Sequence, residues 1–272
     1  MAQTYALGII GTGHIAAVII KRLLATGYYA PDRIIVAPSR AATAHPPPVR
    51  VAADNRAVVS ATSRLVIAVT PQRFPEMASG IADLVTTDHL LISLMAGVGT
   101  NTVATAFPEI HARVVRCMPN LPFGLGSGVT GLFRGEHATQ EDVESVRHLF
   151  NAGGTTVELD DEQLMDAVTA VAGSGPAYFY YFVETMIDAG VAAGLAPADA
   201  QVLAAYACQG AGAMLLDRGA SPRELREAVT SPGGTTEAAL EVLTAGHVAI
   251  SVKQAVLAAF RRGQELGRRY QV

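Results

Sequence analysis

The stretch YALGIIGTGHIAAVIIKRLLA, residues 5–25, decides the fold. It opens with an apolar run, Tyr5–Ile10, passes through a glycine turn, and continues as a helical run, Ile15–Ala25. Further strand-length apolar runs follow at Arg33–Ala37, Leu65–Val69, Leu90–Leu94 and Arg113–Cys117, with helical stretches between them. Continuous apolar strands fit a parallel sheet covered on both faces, and alternation of such strands with helices predicts a doubly wound α/β domain. Val129–Phe133 and Thr156–Leu159, around a helix near Glu141–Phe150, are expected as edge strands.

After about residue 160 the pattern becomes Ala- and Leu-rich and helical to the end. Expected helices are Glu162–Gly194, broken or bent near Gly173–Pro176, then Pro197–Arg218, Ser221–Val229, Thr235–Ala245 and His247–Tyr270. The organisation predicted is an α/β dinucleotide-binding domain over 1–159 and an all-α domain over 160–272, consistent with about 100–200 residues per domain. So much apolar helical surface predicts burial against another subunit. The most apolar stretch, Leu164–Val183, contains Asp166 and Gly173-Ser174-Gly175-Pro176, and is expected to be a buried helix rather than a membrane span.

Half of the 272 residues are apolar and 16% are charged, which excludes disorder as a global description. Twenty Lys and Arg against 24 Asp and Glu give a net charge of −4, so neither nucleic acid nor an anionic membrane is an expected partner. Two cysteines, Cys117 and Cys208, build no disulfide framework, and MAQTYALGIIGTG lacks a secretory n-region. The expected location is the cytoplasm.

Gly11-Thr12-Gly13-His14-Ile15-Ala16 matches G-x-G-x-x-G/A directly after a strand and directly before a helix. The first glycine permits the tight turn, the second lets backbone approach a pyrophosphate, and Ala16 allows close packing; phosphate then sits on the helix N-terminus. The second strand ends Ala37-Pro38-Ser39-Arg40, with no acid to bond a ribose and a cation suited to a 2′-phosphate, which points to NADPH, with NADH as a weaker substitute. HExxH and GxxxxGK[ST] are absent, Ser174 sits in AGSGP rather than GxSxG, and no metal is expected. Ser231-Pro232-Gly233-Gly234-Thr235-Thr236-Glu237 leads into a helical run, where small and hydroxyl residues either cap the helix or leave its N–H groups open to a carboxylate.

Together these segments resemble the pyrroline-5-carboxylate reductase family. The resemblance runs through IIGTGHIA, Ala68-Val69-Thr70-Pro71, Ser93-Leu94-Met95-Ala96-Gly97-Val98, Arg116-Cys117-Met118-Pro119-Asn120 and Gly173-Ser174-Gly175-Pro176-Ala177-Tyr178, and is most specific in LREAVTSPGGTTEAALEVL, Leu225–Leu243. It implies a Rossmann-like N-terminal domain, an all-α C-terminal dimerisation domain, and a homodimer or higher homo-oligomer, up to a decamer. The implied reaction transfers a hydride from NADPH to the cyclic imino acid 1-pyrroline-5-carboxylate, giving L-proline. Ile10, Gly11, Thr12, Gly13, His14, Ile15, Asn55, Ala68, Val69, Thr70, Pro71, Met95, Ala96 and Gly97 are then expected around the cofactor, with Ser39 and Arg40 at its 2′-phosphate. Glu162, Val229, Ser231, Gly233, Gly234, Thr235 and Thr236 are expected at the substrate. The Gly233-Gly234-Thr235 backbone is assigned to the carboxylate, and the Thr236 hydroxyl, the catalytic candidate, to the imine nitrogen.

Three positions depart from the family pattern, which commonly has Lys at Thr70, Ala at Met95 and Thr at Leu121. They leave open a reductase of another cyclic imino acid. A catalytically silent dinucleotide-binding protein is the alternative from a different class, and the retained Thr235-Thr236 and GSGPAY count against it. A short-chain dehydrogenase is disfavoured because no Tyr-x-x-x-Lys occurs.

Overall fold

Burial at every position of LGII sets β1 (Leu7–Ile10) inside the sheet rather than at an edge. The computed structural model describes residues 5–38, 48–217 and 219–268. After β1 come α1 (His14–Ala25), β2 (Ile34–Val36), β3 (Arg50–Val51), α2 (Asn55–Ala61), β4 (Arg64–Ile67), α3 (Phe74–Ile81), β5 (Leu90–Ser93), α4 (Thr100–Thr105), β6 (Arg113–Pro119), β7 (Gly128–Arg134), α5 (Gln140–Asn151) and β8 (Gly154–Leu159). The sheet runs in the order β3-β2-β1-β4-β5-β6-β7-β8. Its first six strands pair in parallel, β7 lies antiparallel to β6, and β8 is parallel to β7. The doubly wound α/β reading is therefore correct, and the chain winds outward in both directions from β1.

Successive strand residues feed opposite cores. Leu7, Ile9, Val66 and Ile92 pack with Ile19, Ile20 and Leu23 of α1 and with Val146 and Phe150 of α5. Ile10, Leu65, Ile67 and Leu91 pack with Val58 of α2, Phe74 and Ile81 of α3, and Val103 of α4. Two-sided burial is the reason these strands read as continuous apolar runs rather than alternating ones. A two-residue strand such as β3 carries no periodic signal, and the sequence gives no sign of it.

Beyond β8 lie a 3₁₀ turn (Glu162–Leu164), α6 (Met165–Val168), a π turn (Thr169–Gly173), α7 (Gly175–Ala192), α8 (Pro197–Leu216), α9 (Pro222–Ala228), α10 (Thr235–Ala245) and α11 (Val248–Arg268). The chain divides into two compact units, Met1–Gly173 with Ala259–Val272, and Ser174–Ala258. The sheet unit thus runs past residue 159, where a boundary was expected, and includes the end of α11. Particular contacts account for this: Met165 and Ala170 are buried, and Asn120 Nδ2 donates to the Ala172 carbonyl at 3.0 Å.

Within the helical unit, α7 closes on α8 where a Cβ on Gly190 would stand 3.3 Å from Ala200 Cβ. The break expected near Gly173–Pro176 is present as the π turn, but the expectation of burial over Leu164–Val183 is corrected: Phe179, Tyr180 and Tyr181 are exposed in the single chain. Apolar composition was read as burial, but within one protomer these rings stay mostly in solvent. Among the described residues no single helix is long and apolar enough to cross a membrane; α10 and α11 reach that composition only together, bent by 57°.

Candidate functional site

The direction of winding reverses between β1 and β4, whose ends are in register at Ile10 and Ile67. Side-by-side strands whose crossovers leave in opposite directions open a crevice at their carboxyl ends. There a cleft of about 680 Å³ is lined by Ile10, Gly11, Thr12, Gly13, Pro38, Asn55, Ala68, Val69, Thr70, Arg73 and Met77, among others. Gly11 has φ +95°, and a Cβ there would lie 2.5 Å from the Ala68 carbonyl carbon, so backbone conformation and packing both require glycine. A Cβ on Gly13 would meet nothing within 4 Å. Gly13 caps α1 with no side-chain hydrogen bond, and the first turn holds no acid. The first-turn N–H groups and the positive end of the helix dipole are therefore uncovered. Beside them the Thr12 hydroxyl oxygen is buried without a hydrogen-bond partner. An open helix N-terminus with an orphaned hydroxyl fits a phosphate or ribose oxygen, so the residues present suit a dinucleotide.

Of the residues expected around the cofactor, Ile10–Gly13, Asn55 and Ala68–Thr70 share this cleft, whereas His14, Ile15, Pro71, Met95, Ala96 and Gly97 are not in its lining. Ser39 and Arg40 lie outside the described residues. Met95 is 1% exposed and packs in the core behind the sheet with Ile67 and Val98, so the larger side chain is absorbed below the surface. Gly97 turns at φ +74° against the last turn of α11, where its added Cβ would fall 2.8 Å from the Gly267 nitrogen. The sequence reading missed Arg56 and Arg73, both in the lining. Arg56 bonds both oxygens of Asp83, at 2.6 and 2.8 Å, and the Gly80 carbonyl at 3.0 Å. The hydrogen bond from Arg56 holds the Asp83 carboxyl below its ordinary range.

Glu162 behaves differently from expectation. Its Oε1 accepts from the Thr100 backbone N–H at 2.7 Å and from Arg116 Nη1 at 3.2 Å, and its Oε2 accepts from the Thr100 hydroxyl at 2.8 Å. Both oxygens are thus engaged at the start of α4, and Glu162 braces the Gly97–Thr100 turn. The Arg116 side chain is 5% exposed, and its Nε and Nη2 have no partner. Burial, with the Glu162 charge adding and Arg116 opposing, raises the pKa of nearby Asp166.

In the helical unit, α9 begins with a capping box between Ser221 and Glu224, and the chain then turns through 229–234 into α10. Gly234 N–H donates to the Ser231 carbonyl at 3.0 Å, and Gly233 N–H to Glu237 Oε2 at 2.6 Å. Two of the backbone donors assigned to a substrate carboxylate are therefore already used. Gly234 caps α10 without a side-chain hydrogen bond, so neither threonine acts as the cap. By helix geometry the N–H groups of Thr235, Thr236 and Glu237 lack intrahelical acceptors. The Thr235 and Thr236 hydroxyls have no hydrogen-bond partner among the described residues, while Val229 and Ser231 are exposed. The start of α10 presents free donors, as an anion site requires. Glu237 stands three residues after the cap, the spacing of a capping box, which was the available signal for its role. Among the described residues no group of three His, Cys, Asp or Glu could hold a metal.

A doubly wound sheet with a glycine turn and an uncapped helix at its reversal defines the Rossmann class of nucleotide-binding domains, here joined to a helical unit. Residues 162–266 match a family model described as pyrroline-5-carboxylate reductase dimerisation, and residues 6–97 one described as NADP oxidoreductase, coenzyme F420-dependent. The pyrroline-5-carboxylate reductase of Synechocystis sp. is 38% identical over 97% of this chain and 98% of its own length. That of Mycobacterium tuberculosis is 37% identical over 96% of each. Among solved structures, a pyrroline-5-carboxylate reductase from Coxiella burnetii superposes with a TM-score of 0.87 at 32% identity, over 97% of this chain and 98% of that one. Plasmodium falciparum pyrroline carboxylate reductase with NADP bound gives 0.85 at 26%, over 97% and 99%. The chain belongs to the pyrroline-5-carboxylate reductase family.

Proposed function

We propose that this protein reduces 1-pyrroline-5-carboxylate to L-proline with NADPH. The observation that carries the reading is that a chain of this family keeps two open helix N-termini, one beside the orphaned Thr12 hydroxyl and one bearing the unpartnered Thr235 and Thr236 hydroxyls. Bound in the β1–β4 cleft, the dinucleotide supplies a hydride from its reduced nicotinamide. Gly11, Thr12 and Gly13 hold its pyrophosphate on the α1 N-terminus, and Asn55 and Ala68–Thr70 line its path. Ser39 and Arg40 supply donors for a 2′-phosphate, and the Plasmodium falciparum relative with NADP bound supports the same choice of cofactor.

The substrate side needs little from the protein, because a protonated cyclic imine is already electrophilic and the rate comes from orientation. The first-turn N–H groups of α10 take the substrate carboxylate. The Thr236 hydroxyl hydrogen-bonds the imine nitrogen, donating to the lone pair that develops there as the carbon is reduced. Val229 and Ser231 shape the loop, and Glu162 acts indirectly, by fixing the Gly97–Thr100 turn.

The exposed rings of α7 and the dimerisation family model support a homodimer or higher homo-oligomer, with a decamer as one such assembly. The expected location is the cytoplasm. Because Met95 is buried in the core, that departure leaves the substrate surface unchanged, which favours pyrroline-5-carboxylate over another imine. Initial rates of NADPH oxidation with this imine and with its six-membered homologue test the choice. The five-membered ring is expected to react faster, and a faster six-membered ring would overturn it.

A further inference from the structure

We propose that Arg73 binds the dinucleotide, pairing its guanidinium with a phosphate of the cofactor; the inference rests on reading the β1–β4 cleft as the dinucleotide site. Pro71–Arg73 form a 3₁₀ turn directly after Thr70, and the Arg73 N–H closes it on the Thr70 carbonyl at 2.9 Å. Thr70 and Arg73 both line the cleft.

The other arginine in the described lining, Arg56, is neutralised by its two bonds to Asp83 and held by the Gly80 carbonyl. Arg73 has neither an ion pair nor a side-chain hydrogen bond among the described residues, and Glu76, which also lines the cleft, forms no ion pair with it. An unpaired guanidinium on the wall of an open cleft raises the local potential for anions and offers a planar fork that fits two phosphate oxygens. The anionic groups of a bound NADPH are its pyrophosphate and its 2′-phosphate.

The test is the Kd of NADPH and of NADH, measured by fluorescence titration with wild type, Arg73→Gln and Arg73→Lys, beside the Tm of each. The expected result is a Kd for NADPH raised about tenfold in Arg73→Gln, partial recovery in Arg73→Lys, and an unchanged Tm. A loss confined to NADPH assigns the 2′-phosphate, and an equal loss with NADH assigns the pyrophosphate. Unchanged affinity for both cofactors in Arg73→Gln would overturn the proposal, as would equal losses in both variants together with a lowered Tm, which would mark Arg73 as support for the wall. Failure of the wild type to bind either dinucleotide would instead refute the reading of the cleft.

Discussion

The Glu237 carboxylate accepts a 2.6 Å hydrogen bond from the Gly233 backbone N–H. Within one turn of α10, the chain's own carboxylate occupies the donor nearest the loop and leaves the Thr235 and Thr236 N–H groups for a bound anion. Glu237→Ala removes the acceptor, loosens the turn and is expected to raise KM for the imine several-fold with a smaller change in kcat, while costing about 1 kcal/mol of stability as loss of a cap does. Glu237→Gln keeps an acceptor oxygen and should restore KM. Steady-state kinetics of the two variants decide this, and equal KM values in wild type and Glu237→Ala would count against it.

Thr236→Val keeps the shape and deletes the hydroxyl. If that hydroxyl donates to the nitrogen as hydride arrives, the bond strengthens in the transition state, and kcat should fall more than KM rises, by about 5- to 150-fold for a loss of about 1–3 kcal/mol. Thr235→Val should act mainly on KM. A wild-type kcat in Thr236→Val at unchanged Tm would leave α10 as a carboxylate cradle alone.

Gly97→Ala and Gly13→Ala add the same methyl group with opposite results. At Gly97 the φ of +74° and backbone of Gly267 at 2.8 Å allow no relief, so a loss of about 2–5 kcal/mol is expected. At Gly13 the added Cβ meets nothing within 4 Å, so the Tm should hold while NADPH affinity falls as the methyl group enters the cleft. Melting curves and NADPH titrations of both variants check the pair.

Asp166 carries a pH signature. Its pKa is raised in the fold by burial first, so its folded state resists ionisation, and stability is lost as pH rises from its ordinary value through the raised one. Asp166→Asn removes that loss. The Tm of the variant relative to wild type should therefore rise as the pH climbs from the ordinary aspartate range through the raised one. A difference that stays constant over that window would show that Asp166 does not titrate this way.

The sheet was legible because its strands carry their burial in consecutive β-branched residues, and the Gly11–Gly13 turn because its spacing is a steric requirement. The helix limits Thr235–Ala245 read directly from the glycines before and after them. What stayed hidden depends on tertiary contact. Glu162 looks like any acid near a helix start until Thr100 and Arg116, distant in sequence, close on it. Met95 looks like a surface departure until its side chain is found in the core. Arg73 acquires meaning only when Thr70 and Asn55 are brought to the same cleft.

Hydride transfer from cofactor to imine is tested most directly with NADPH carrying deuterium at both C4 positions of its nicotinamide. Incubated with the protein and 1-pyrroline-5-carboxylate, it should yield proline one mass unit heavier, with the deuterium on the former imine carbon. Unlabelled proline, or no proline while the protein remains folded and binds NADPH, would contradict the proposed reaction.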